Sequence, residues 1–129
     1  MAYTIDRDFS GEDFDKVVER TRAALAGQGF GVLTEIDVKA TLKKKLDADV
    51  DSYLILGACN PTMAHKAMEM EPRIGAMLPC NVIVRSVGDS KVEVSAIDPL
   101  ASMEAVDNDE LKTVAGQVRE MLKTVVENI

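Results

Sequence analysis

Tyr53-Leu54-Ile55-Leu56-Gly57-Ala58-Cys59 runs seven residues without a charge, bounded by Asp49, Asp51 and Ser52 before it and by Asn60-Pro61 after it. A run of that length between turn-forming residues is a strand, and its unbroken apolarity from Tyr53 to Ala58 predicts a central strand buried on both faces. Asn60 then suits a helix cap and Pro61 the first helical position, where a fixed φ and a missing N–H do no harm. The helix so opened is expected to bury Met63, Ala64, Ala67 and Met68. It ends at Glu71-Pro72, because the proline ring biases Glu71 away from helical geometry.

Upstream, a short strand is expected from about Tyr3 to Arg7, followed by a helix capped by Ser10, with Glu12 and Asp13 in its first turn. Phe14, Val17, Val18, Thr21 and Leu25 fall at helical spacing, and Gly27 and Gly29 close the helix. Phe30, Val32, Thr34 and Ile36 alternate with Gly31, Leu33 and Glu35 as one strand, and Asp37 caps a short helix striped by Val38, Leu42 and Leu46. Downstream, Leu78 to Arg85 and Lys91 to Ile97 alternate across Gly88-Asp89. That pattern predicts an antiparallel hairpin in which Val82 and Val84 face Val92, Val94 and Ala96. Asp98-Pro99 reads as a turn leading through an irregular stretch to a helix from about Asp107, striped by Leu111, Val114, Ala115, Val118, Leu122, Val125 and Val126. Mixed strand and helix order ending in a hairpin and a long helix implies one α+β domain over 1–129, with helices packed on one face of a largely antiparallel, mixed sheet.

Composition narrows the function classes. At 129 residues and 47% apolar content the chain buries a core without disulfide or metal. A net charge of −7 disfavours nucleic acid and anionic membranes as partners. The Lys43-Lys44-Lys45 run reads as a solvated helix face. Asp6, Arg7 and Asp8 interrupt any signal peptide near the start, and no stretch reaches membrane-spanning length. With two cysteines, the expectation is a cytoplasmic protein with reduced thiols.

Four stretches carry a resemblance: Gly29-Phe30-Gly31-Val32 leading to Glu35 and Asp37; Ile55-Leu56-Gly57-Ala58-Cys59-Asn60-Pro61; Ile74-Gly75 running to Leu78-Pro79-Cys80-Asn81-Val82; and Ser95-Ala96-Ile97-Asp98-Pro99. In this order the chain resembles the family known as domain of unknown function 302. The resemblance implies a TATA-box-binding-protein-like sheet with helices on one face, and a homodimer. The family has no established activity to carry over, and a shared fold would not transfer one.

Among residues able to do chemistry, Cys59 stands first, because it lies between a strand and a helix opened by Asn60-Pro61, where backbone donors favour thiolate. Its structural alternative is a small apolar residue closing a strand. Cys80 shares parity with Val82 and Val84, which predicts burial. The two cysteines at neighbouring strand ends could form a redox pair or two soft metal ligands, but 21 positions apart they match no metal-binding or thioredoxin spacing, so no metal is assigned. His65 falls on the helix face away from the apolar stripe and is expected in solvent. Asp37 and Asp98 suit a cap and a turn rather than acid–base work. The leading expectation is a small-ligand or thiol-binding module contacted by Cys59, Asn60, Pro61, Cys80 and Asn81, its cofactor unknown. The alternatives are a thiol-dependent sulfur-transfer or redox enzyme with Cys59 as nucleophile, and a homodimer without small-molecule chemistry.

Overall fold

The structure, a computed structural model, describes residues 2–129. In chain order the described residues form β1 (Thr4–Ser10), α1 (Phe14–Gly27), β2 (Gly31–Asp37), α2 (Val38–Leu46), β3 (Tyr53–Cys59), α3 (Pro61–Met70), a 3-10 helix (Pro72–Met77), β4 (Cys80–Val87), β5 (Lys91–Ile97), α4 (Pro99–Ser102) and α5 (Asp109–Glu127). The fold class is α+β, as expected. The strands form one sheet of order β1-β5-β4-β3-β2, and every pairing in it is antiparallel.

The core lies on one face, where Leu54, Leu56 and Ala58 of β3, Val82 and Val84 of β4, and Val92, Val94 and Ala96 of β5 meet α1 and α5. The long helix buries all seven residues of its expected stripe, Leu111 through Val126. The hairpin also forms in the expected register, with Val82 opposite Ala96 and Val84 opposite Val94.

Several local expectations are corrected. β3 is next to the edge strand β2, and the sheet centre is β4. Tyr53 and Ile55 are only half-buried on the second face. A fully apolar run therefore does not mean two helix-covered faces here. Ser10 stays in β1, and Asp13 caps α1, its carboxylate accepting from the Lys16 amide at 3.3 Å. The alternation across β2 breaks at a bulge between Val32 and Thr34: Val32 pairs with Ala58 on the core side, whereas Thr34 pairs with Gly57 and Ile36 with Ile55 on the opposite side. One inserted residue flips every following side chain, which leaves Leu33 69% and Ile36 48% exposed. On α3 only Met63 and Ala67 are buried, and Met68 is exposed. α2 buries no residue, and Leu46 of its expected stripe lies in solvent. Asp98 caps the short helix α4 where a simple turn was expected.

Candidate functional site

The segment after β3 is fixed by one amide. Asn60 Oδ1 accepts from the Met63 backbone N–H at 3.2 Å, capping α3, while its Nδ2 donates to Gln28 O at 3.3 Å at the end of α1 and lies 3.8 Å from Met121 Sδ of α5. Gly29 is pressed against the same amide: with φ of +80°, a Cβ there would stand 3.2 Å from Asn60 Nδ2. Gly57 is tighter still. A Cβ on it would meet Thr34 Oγ1 at 2.0 Å and Pro79 Cγ at 2.9 Å. The glycine stretch before β2, the end of β3 and the Leu78-Pro79 segment, whose joining peptide is cis, thus meet around Gly57, which has no room for a side chain, and Gly29, whose positive φ disfavours one.

Behind this junction, between β3, β4, α3 and α5, lies an apolar crevice enclosing about 30 Å³, lined by Cys59, Asn60, Leu78, Pro79 and Cys80 among others. The structure therefore brings Cys59, Asn60 and Cys80 together. Pro61 lies outside the lining, exposed on the first turn of α3, and Asn81 points to the opposite face of the sheet, where it is exposed. Met63 and Met103 also line the crevice. Met103 follows α4 in the stretch read as irregular, and no local pattern in the sequence marks it.

Cys80 stands opposite Ala58 and is buried, 8% exposed. Burial, and secondarily the nearby Cys59, pushes its thiol up to about 11, so it stays protonated near neutrality. Cys59 is half-exposed, and both thiols are free. No base is poised beside them. The His65 side chain is 78% exposed and contacts Glu69 at 3.4 Å, as its helix face predicts. Asp37 caps α2, accepting from the Ala40 amide at 2.9 Å. Asp98 accepts from the Leu100 amide at 3.0 Å and pairs with Arg119 Nε at 3.0 Å, so both carboxylates are held by structural partners. Among the described residues no three His, Cys, Asp or Glu side chains gather as a metal-binding group, and no helix is long and apolar enough to cross a membrane.

A family model described as domain of unknown function DUF302 matches residues 6–129. No curated protein matches the chain. Among solved structures, the chain is similar to the crystal structure of an uncharacterized conserved DUF302 protein from Bacillus stearothermophilus. The two share 22% sequence identity at a TM-score of 0.91, over 99% of this chain and 98% of that one. At that identity the likeness carries the fold.

Proposed function

We propose that this chain, which belongs to the DUF302 family, is a binding module for a small ligand, with the crevice behind Asn60 as its site and Cys59 as the contact thiol. The observation that carries the reading is the crevice itself: an apolar space with two free thiols in its lining, one half-exposed and one buried. Apolar walls with a few placed polar or nucleophilic groups are the usual make-up of a ligand site. The space is small, on the order of two or three water-sized bodies at roughly 10–15 Å³ each, so a compact ligand is favoured over an extended one. A thiol-dependent enzyme is less well supported, because no imidazole or carboxylate lines the crevice to accept a proton from Cys59. Two free thiols fit the reducing cytoplasm. The test is native mass spectrometry of freshly purified protein, paired with timed alkylation. A retained adduct that slows alkylation of Cys59 supports the reading. Protein free of adduct, with Cys59 alkylated at the same rate whatever small ligand is added, would overturn it.

A second reading, compatible with the first, is a homodimer formed through the sheet face turned away from the helices. Ile36, Ile55 and Ile83 stand in one register row across β2, β3 and β4, continued by Ser95 and Asp6. The charges on that face are mostly paired within it, Arg85 with Glu93 at 2.8 Å and Lys91 with Asp8 at 2.9 Å, leaving Asp6 over. On a chain of net charge −7, this nearly neutral face with its isoleucine row is one that a like-charged copy can approach without strong repulsion. Sedimentation of wild type against Ile83→Glu tests it: a dimer that the substitution splits supports the reading, and a monomeric wild type sinks it.

A further inference from the structure

We infer that the outer flank of α2, with the turn that follows it, docks on the same segment of a second copy, antiparallel about a two-fold axis near Leu46. This contact is separate from the crevice and from the sheet face and rests on neither reading.

Three observations carry it. The first is that α2 is an amphipathic helix without a partner. None of its residues is buried, Leu46 is 71% exposed, and Val50 just beyond it is 38% exposed. At about 100° per residue, Lys39, Lys43 and Leu46, spaced i, i+4 and i+7, share one flank of the helix.

The second is the order of the charges. Residues 38–46 hold four lysines and no acid, and residues 47–51 hold Asp47, Asp49 and Asp51 and no base. Turned antiparallel against itself, such a segment lays the basic half of one copy on the acidic half of the other. That self-complementarity is what an isologous contact requires. On a chain of net charge −7 the segment is locally positive, with four lysines against three aspartates, so an approaching copy is not met there by an excess of negative charge.

The third is the geometry at the junction of the two halves. Lys43 Nζ lies 2.9 Å from Asp47 and 3.0 Å from Asp49, so both carboxylates reach the flank that carries Leu46. At a rise of about 1.5 Å per residue, Lys43 lies about 4.5 Å from Leu46 along the helix. With the two Leu46 side chains facing each other on the axis, the partner's Lys43 stands equally far beyond Leu46, beside Asp47 and Asp49. The pairs within one chain are exposed, 54% at Lys43 and 86% at each aspartate, so exchanging them across the axis costs little. A helix of nine residues offers less than the roughly 1,000 Å² of a lasting interface. The pairing is therefore weak and forms in concentrated solution.

The experiment is sedimentation equilibrium of the full chain carrying Ile83→Glu, which takes the sheet-face contact out of the readout. Salt of about 0.15 M limits electrostatic reach to about 8 Å, which mutes the charge of the distant surface and spares groups in contact. Self-association that rises with protein concentration is expected, and it should be lost in about 1 M salt, where the reach shrinks to about 3 Å. Lys43→Glu should abolish it. Asp47→Asn/Asp49→Lys should abolish it too, asparagine being chosen because Asp47 has a φ of +52° that it tolerates. Mixed in equal amounts, these two variants should associate again as strongly as the parent. The new acid at position 43 of one chain then meets the new base at position 49 of the other, and the unchanged Lys43 meets the unchanged Asp47 and Asp49. Misfolded chains could not recover in this way. A parent that stays monomeric at every concentration would overturn the inference, as would association that both charge variants leave intact, or a mixture no more associated than its components. None of these results bears on the sheet-face contact, which is read by comparing wild type with Ile83→Glu.

Discussion

Gly57 shows how little freedom the site region has. A methyl group there must displace Thr34 Oγ1 at 2.0 Å and also push on Pro79 Cγ at 2.9 Å, and Pro79 belongs to a ring that cannot rotate aside. Gly57→Ala should therefore destabilise the fold by about 1–3 kcal/mol, the usual scale of overpacking. Adding Thr34→Ala should recover only part of the loss, because the proline contact remains. Urea denaturation of the single and double variants measures both, and full recovery in the double variant would show that Pro79 moves freely. Asn60 offers a second case. Its side chain caps α3 and reaches Gln28 O, so Asn60→Ala removes a cap worth about 1 kcal/mol and leaves a partly buried carbonyl short of a donor, for a total of about 1–2 kcal/mol. Thermal melting decides it, and an unchanged melting temperature would reassign Asn60 from scaffold to ligand contact. Asn60 was legible in the sequence as a cap, since a cap is set by its immediate neighbours. Its bond to Gln28, 32 positions away, was not.

Among strands and helices, the structure follows the sequence pattern where periodicity alone decides the outcome and departs from it where one residue interrupts it. The hairpin and α5 satisfy a single period from end to end, so Val82, Val84 and the seven buried residues of α5 fall where the pattern puts them. In β2 the sequence alternates correctly through Ile36, but the bulge after Val32 inverts the second half of the strand. A bulge leaves no mark in apolar spacing, so the pattern puts Thr34 and Ile36 on one side with Phe30 and Val32. The crevice was half legible for the same reason: Cys59, Asn60 and Cys80 sit in local motifs, whereas Met103 reaches it only through tertiary packing. The bulge also makes a prediction. Leu33 is 69% exposed, so Leu33→Asp should change stability by no more than about 0.5 kcal/mol, as for other surface substitutions. Deleting Leu33 should be tolerated as well, because it removes the extra residue of the bulge: Val32 and Thr34 then stand opposite the consecutive residues Ala58 and Gly57, and Thr34, Glu35 and Ile36 keep their present sides. Circular dichroism melts of the two variants check this, and a deletion variant that unfolds would mean that the bulge itself is needed.

For the whole molecule, the buried thiol couples folding to pH. Cys80 has a folded-state pKa of about 11 against an ordinary value of 9.0, raised first by burial and then by Cys59. Below pH 9 the thiol is protonated in both states and contributes nothing that varies with pH. Between about 9 and 11 the unfolded chain loses the proton while the folded chain keeps it, so the folded state binds more protons and stability falls as pH rises. Above the folded pKa the two states again bind protons equally and the loss is complete. Two pKa steps of about 1.4 kcal/mol each bound the effect at roughly 3 kcal/mol. Cys80→Ala removes this dependence, and the small side chain still fits beside Ala58 and Met63 in the same apolar surroundings. Unfolding free energies of wild type and Cys80→Ala should therefore run parallel up to about pH 9 and converge above it, as wild type loses stability that the variant does not have to lose. Arginine and tyrosine titrations act on both proteins alike and cancel in the difference. Parallel curves up to pH 11 would mean that Cys80 ionises as readily in the fold as outside it. The crevice would then be wetter than its apolar lining implies.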